Sequence, residues 1–250
     1  MPNYRQYLKN QALSGPGEVT TDQQKGLPLP PIQKPYPKNA PLIDLISPKD
    51  FKVKEITLFE AIQNRRSRRI FTAEALSLEE VSFLLWATQG VQQIVRSGLL
   101  TLRTVPSSGG FHPYETYILV NRVENLKPGL YRYLAIEHKL LPLIQDDPGL
   151  PDRLIKACSD NDFVGKGAIT LIWSARPYRI EWRNGEDSLK EILIGVGHIC
   201  QNLYLACEVI QAGTSSFLSY QQKLLDELIG ADGEEEIALY LAPVGKVSPM

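Results

Sequence analysis

Four arginines fall within five positions, Arg65-Arg66-Ser67-Arg68-Arg69. Guanidiniums this close repel one another unless they are solvated or neutralised. Their planar forks match phosphate oxygens in paired, charge-assisted hydrogen bonds, and Ser67 adds a hydroxyl donor. A solvated basic surface would accommodate the same residues, and the cluster alone does not separate the two readings. The formal net charge of the chain is −1, so the basicity is local. A general nucleic-acid or membrane-surface binder carries a basic excess that is missing here.

Four further stretches could do chemistry. Arg103-Thr104-Val105-Pro106-Ser107-Ser108-Gly109-Gly110 ends in small residues that let backbone approach a flat ligand, or that form a plain turn. Gln201-Asn202 interrupts an apolar periodic segment, and a buried amide must find a partner in a ligand or a neighbouring loop. Gly213-Thr214-Ser215-Ser216 follows that segment. Pro243-Val244-Gly245-Lys246 lies near the C-terminus and offers one more cation.

Other chemistries lack their residues. His112, His138 and His198 have no metal-ligand spacing, so no metal site is expected. His112 follows the glycine pair and reads as a structural histidine or as the edge of a substrate pocket. Cys158, Cys200 and Cys207 form no CxxC pair and read as small buried hydrophobes in a reducing compartment. Neither a GxSxG elbow nor a GxGxxG dinucleotide fingerprint occurs, so a nicotinamide would be a passing substrate.

The elements that must position these residues can be read from caps and periodicity. Thr57-Leu58-Phe59-Glu60 and Ser77-Leu78-Glu79-Glu80 are capping boxes, predicting helices to about Asn64 and to Gly90. Residues 151–158 read as helical. Residues 116–120, 129–134, 168–174 and 237–241 read as strands, the last ended by Pro243 and Gly245. Asp187 to Ala212 carries a broad apolar stripe, as a buried central helix does. Residues 1–50 are set apart by prolines between Pro28 and Pro48, which predict extended chain, either disordered or lying along the body of a partner subunit. The expectation is one α+β domain over residues 51–250 behind a Pro-rich extension, cytoplasmic, with no signal peptide and no apolar run long enough to span a bilayer.

Taken in order, Arg65-Arg66-Ser67-x-Arg69-x-Phe71, Pro106-Ser107-Ser108-Gly109-Gly110, Gln201-Asn202-Leu203 and Pro243-Val244-Gly245-Lys246 resemble the FMN-dependent nitroreductase superfamily over residues 57–247. Leu84-Leu85-Trp86-Ala87-Thr88-Gln89-Gly90 and Pro128-Gly129-Leu130-Tyr131-Arg132-Tyr133 resemble its branch of thiazole/oxazole dehydrogenases, which oxidise azoline rings in modified peptides.

The resemblance implies a nitroreductase-like sandwich: a central antiparallel or mixed sheet flanked by helices, with the long helix at a homodimer interface. It implies FMN as cofactor, a small-molecule substrate and NAD(P)H as a possible transient donor. Arg65, Ser67 and Arg69 would hold the phosphate and ribityl chain, with Arg66 close by and Lys246 adding a cation. Pro106, Ser107, Ser108 and Gly110 would reach the ring from the second subunit, with Gln201 also at the cofactor. The amides of Leu218 and Ser219 would donate to N5 and O4. The resemblance names no general catalytic acid or base. The azoline-oxidising branch has a Lys-Tyr pair where this chain has Arg183-Asn184, and neither replacement offers the proton chemistry of lysine or tyrosine. This leaves a reductase or dehydrogenase of a small molecule, an azoline dehydrogenase, or a flavin-binding partner protein without turnover.

Overall fold

The computed structural model describes residues 20–185 and 188–248. In chain order the regular elements are β1 (Ile43–Asp44), α1 (Leu58–Asn64), α2 (Leu78–Gln89), β2 (Val91–Val95), β3 (Leu100–Arg103), β4 (Tyr114–Val120), β5 (Gly129–Leu134), β6 (Lys139–Gln145), α3 (Leu150–Ala157), α4 (Phe163–Lys166), β7 (Ile169–Ala175), α5 (Tyr178–Asn184), α6 (Ser188–Val209), β8 (Ala212–Thr214), α7 (Gln222–Ile229) and β9 (Ile237–Lys246).

Seven strands form one antiparallel sheet in the order β1-β6-β5-β4-β7-β9-β8. Every residue of β4 and β7 is buried. Side chains alternate along a strand, so a strand buried throughout must be covered on both faces. On β4, Ile118 and Val120 join the core that includes residues of α2 and α6, while Tyr117 and Leu119 join the core built with α3 and α7. The result is the expected α+β sandwich, with helices on each side of the sheet.

Both capping boxes are formed. The Thr57 and Ser77 hydroxyls accept from the Glu60 and Glu80 amides, and those glutamates accept from the cap residues. The long helix α6 is apolar enough by length and composition to cross a bilayer, with a mean hydropathy of 1.4. Its contacts make it a core helix. Ile192, Val196, Ile199, Leu203 and Cys207 are buried on one side, and the hydroxyl of Tyr114 donates to the carbonyl of Ile192 at 2.8 Å. All three cysteines are buried and free.

The last strand runs beyond Pro243 to Lys246, longer than the sequence reading. The carbonyl of Pro243 accepts from the Thr214 hydroxyl at 2.8 Å, and β8 pairs only with residues 244–246. The N–H that proline lacks therefore falls where the neighbouring strand has already ended, and no ladder bond is lost. A second departure is the β2–β3 hairpin, a separate two-stranded sheet.

The Pro-rich segment lies along the body. Backbone of Leu27 and Pro31 accepts from Trp182 Nε1 and Arg179 Nε, and the Lys34 amide donates to Glu115. Lys34 Nζ also pairs with the buried carboxylate of Glu236 at 2.7 Å. Four of residues 27–35 are prolines without an amide donor, and side chains of the body anchor the strap mainly through its carbonyls.

Candidate functional site

Residues 65–69 leave the end of α1 as extended chain beside β8. The Arg68 amide donates to the Thr214 carbonyl at 2.9 Å, and Ser67 bridges Thr214 in parallel register. A side chain on Gly213 would stand 2.8 Å from Arg68 Cβ, so glycine permits this approach.

The arginines part company here. The Arg65 guanidinium lies 5.4 Å over the ring of Tyr204, and Ser67 Oγ is 3.2 Å from the Tyr204 hydroxyl. Arg69 lies 5.8 Å over the ring of Phe163. Arg68 instead pairs with Glu208 at 2.5 Å, both side chains being largely buried. Arg66 folds back onto the carbonyls of Gln63 and Arg65. Among the described residues, no carboxylate lies within ion-pair distance of Arg65 or Arg69. One arginine of the cluster is neutralised, and two that flank a serine are not.

Beside them runs the turn after β8. The Ser216 amide donates to the Tyr204 hydroxyl at 2.9 Å, Phe217 to Leu241, Tyr220 to Leu218 and Gln221 to Ala157. Between these satisfied groups, the amides of Leu218 and Ser219 donate to nothing among the described residues. Both residues are exposed. Two adjacent free N–H groups are donors available to a ligand or to water.

On α6, Gln201 is exposed one turn before Tyr204. Asn202 has found a loop: its Nδ2 donates to the carbonyls of Ala87 and Thr104 at 2.9 and 3.2 Å. It thereby ties α6 to the end of α2 and to the chain entering Pro106–Gly110.

That loop contains a one-turn helix, Ser108–Gly110, with Gly109 at φ 60°. A β-carbon on Gly109 would lie 2.5 Å from the Arg183 guanidinium and 2.7 Å from the Phe111 ring. Ser107 Oγ accepts from the His112 amide at 3.1 Å. Pro106 and Ser108 are exposed, while Ser107 and Gly110 are half-buried. The Arg183 guanidinium lies 5.8 Å over Phe111, and Asn184 donates to Glu191 at 2.6 Å. The pair that replaces Lys-Tyr thus starts at this loop and runs toward α6.

Two buried basic side chains lie beside the loop, one charged and one neutral. Arg103 donates to Thr101 and Gln89 at 3.0 Å each, and burial lowers its pKa to about 10. His112 is buried in the left-handed region at φ 42°. Burial, then the charge of Arg103, depresses its pKa to about 3, so the ring is neutral near pH 7.

Lys246 stands apart. Its Nζ is held by Glu80 at 2.5 Å and by the Ile210 carbonyl at 2.7 Å. It lines a cavity of about 470 Å³ with Arg68 and Glu208, on the neutralised side of the cluster. The structure therefore gathers Arg65, Ser67, Arg69, Leu218 and Ser219, with Gln201 one helical turn from their hub. It sets Lys246 and the Pro106–Gly110 loop apart from that group and turns the Arg66 guanidinium back onto its own backbone. The loop is entered beside Asn202 of α6, and the strand that follows it meets the same helix at Ile192 through Tyr114. Sequence reading missed Tyr204 and Phe163, and it singled out Ser216 within Gly213-Thr214-Ser215-Ser216 without giving it a role. Its one available signal was a tyrosine inside an apolar stripe, one turn from Gln201.

An antiparallel sheet with helices on both faces, carrying unneutralised cations and free amides at one edge, defines an anion-receptive α+β domain. The nitroreductase family model matches residues 62–246, and the chain belongs to that family. It is 29% identical over 194 residues to a Methanocaldococcus jannaschii protein named as a nitroreductase, covering 78% of this chain and 93% of the relative. The fold resembles a Ralstonia eutropha structure described as a nitroreductase, with TM-score 0.67, 24% identity, 90% of this chain and all of the other covered. It also resembles a chain of the Escherichia coli microcin synthetase McbBCD complex with truncated pro-MccB17 bound, with TM-score 0.61, 20% identity and coverages of 85% and 80%. A Desulfovibrio desulfuricans structure described as a nitroreductase in complex with FMN has TM-score 0.52, 19% identity and coverages of 78% and 92%.

Proposed function

We propose that the protein is an FMN-dependent oxidoreductase that works as a homodimer on a small organic molecule, with NAD(P)H as a transient electron donor, in the cytoplasm. One observation carries the reading. Arg65 and Arg69 flank Ser67 without a carboxylate partner, while Arg68 between them is matched to Glu208. A phosphate supplies the missing charge, and guanidinium forks with a hydroxyl suit its oxygens. Family membership and the FMN-bound relative support the choice of FMN.

When bound, FMN supplies hydride acceptance and donation at N5, and the protein supplies position, electrostatics and exclusion of water. Arg65, Ser67 and Arg69 hold the phosphate end, with Arg66 close by. The free amides of Leu218 and Ser219 orient the ring end and need no particular side chain. Gln201 borders the same space from α6. Pro106, Ser107, Ser108 and Gly110 face the ring of the other subunit. Lys246, held by Glu80, adds positive potential without touching the phosphate. The exposed Leu193 and Ile194 on α6, with Leu58, Phe59 and Ile62 on α1, offer apolar surface for the second copy. Azoline oxidation is the weaker reading, because Arg183-Asn184 replaces the proton-transferring pair.

The test is the absorption spectrum of the purified protein, with FMN identified after denaturation, followed by NAD(P)H oxidation with nitroaromatics or quinones. Bound FMN that a donor reduces and an acceptor reoxidises is the expected result. A colourless protein that takes up no added FMN refutes the site. A flavoprotein that no donor reduces is a carrier and not an enzyme.

A further inference from the structure

Tyr204 touches both halves of the candidate site. Its ring lies under the Arg65 guanidinium at 5.4 Å, and its hydroxyl is 3.2 Å from Ser67 Oγ. The same hydroxyl accepts from the Ser216 amide at 2.9 Å and lies 3.3 Å from Ser216 Oγ. Ser216 begins the turn whose next free amides are those of Leu218 and Ser219. Tyr204 is 9% exposed, with Arg65 and Ser216 half-buried around it and Ser67 at the surface. A phenol oxygen has one proton to give and two lone pairs, enough to accept from the amide and engage both serine hydroxyls.

A second contact joins the same segments, since Arg69 lies over Phe163, which packs on Phe217 of the turn. Phe217 is bonded to Leu241 of the sheet and packs on Phe163, which fixes the far side of the turn to the core. Ser216 is the point where the turn meets the cationic edge, and its amide has Tyr204 as its acceptor. The extended segment is likewise held by backbone at Arg68, leaving the outward side chains of Arg65 and Ser67 to be set by Tyr204.

We propose that Tyr204 is a positioning residue that fixes the anion-holding face of Arg65 and Ser67 relative to the ring-orienting amides of Leu218 and Ser219. Its consequence for flavin rests on the function proposed above. The tie itself does not. Because one hydroxyl serves both ends, its removal disturbs recognition of the phosphate and of the ring together. An arginine truncation disturbs the phosphate alone.

Two measurements on the full-length protein test this. Hydrogen exchange of the flavin-free protein reads the tie: Tyr204→Phe should speed exchange in both 65–69 and 215–220 while the sheet core keeps its protection. Titration of the flavin-free protein with FMN and with riboflavin reads the consequence. Arg65→Ala should weaken FMN and leave riboflavin unchanged, whereas Tyr204→Phe should weaken both by about tenfold, the worth of one or two lost hydrogen bonds. Wild-type exchange in either segment of Tyr204→Phe overturns the tie. Weakening of FMN alone by Tyr204→Phe overturns the coupling to the ring end. Faster exchange in both segments of a protein whose wild type binds no flavin upholds the tie and overturns the flavin reading.

Discussion

Replacing Arg65 and Arg69 together with alanine separates binding from stability, with Arg68→Ala as its counterpart. Each of the two outer arginines stacks on an aromatic ring and pairs with no carboxylate among the described residues. Losing an exposed cation–π contact costs about 0.5–1 kcal/mol, so the double variant should lose about 1–2 kcal/mol of stability. A charge-assisted hydrogen bond to phosphate is worth about 1.5–3 kcal/mol, so both together are worth about 3–6 kcal/mol. At 1.4 kcal/mol per tenfold, FMN affinity should fall by about 10²–10⁴. Arg68→Ala works the other way. It strands Glu208, whose side chain is 11% exposed, and breaking a buried pair costs about 3–5 kcal/mol of folding stability. FMN titration by flavin fluorescence and urea unfolding on the same samples give both numbers. An Arg65→Ala/Arg69→Ala protein that binds FMN like the wild type refutes the phosphate assignment. Arg68→Ala that loses FMN without losing stability refutes the division of labour.

Lys246→Ala should lower stability by about 1–3 kcal/mol, through the Glu80 carboxylate left behind, and change FMN affinity by less than about threefold. A tenfold loss of affinity at unchanged stability would put Lys246 on the phosphate after all. Light scattering at micromolar concentration should give a dimer, and a stable monomer that holds flavin would contradict the shared site. His112 should make the fold acid-sensitive: its folded pKa of about 3 lies below the usual 6.5, so its contribution is intact above pH 6.5 and declines as the pH falls toward 3. The slope is up to about 1.4 kcal/mol per pH unit, and His112→Asn should remove about 2 kcal/mol of the loss between pH 6.5 and 5 in urea titrations. An unchanged slope would mean that the folded state protonates His112 freely.

Much of the fold is written locally. Thr57 and Ser77 announce their helices because a capping box is a contact between residues three apart. The stripe from Ile192 to Cys207 announces α6 because burial of one face imposes a helical period. What stayed hidden depends on neighbours. β6 (Lys139–Gln145) contains Pro142 and is absent from the strands read in the sequence, yet it pairs with β5 across a register shift beside that proline. β9 outlasts Pro243 only because β8 stops short of it. The strap from Leu27 to Pro35 reads as extended in any context, and side chains far along the chain, among them Trp182, Arg179, Arg132 and Glu115, lay it on the body.

The site divides in the same way. Residue types told which chemistry to expect, since clustered guanidiniums and a hydroxyl are suited to phosphate wherever they meet it. Which arginines remain available was decided by partners far along the chain. Glu208 takes Arg68 from 140 residues away, and Glu80 takes Lys246 from 166. No local rule pairs them. What selects them is the approach of residues 65–69 to β8, which aims Arg68 at Glu208 of α6 and leaves Arg65 and Ser67 at Tyr204. The amides of Leu218 and Ser219 are silent in sequence for a different reason: a backbone donor leaves no residue signature, and it becomes visible only when every neighbouring amide has been accounted for. A chain of this family can therefore keep the arginine cluster and lose the site, if a single substitution places a carboxylate within reach of Arg65 or Arg69.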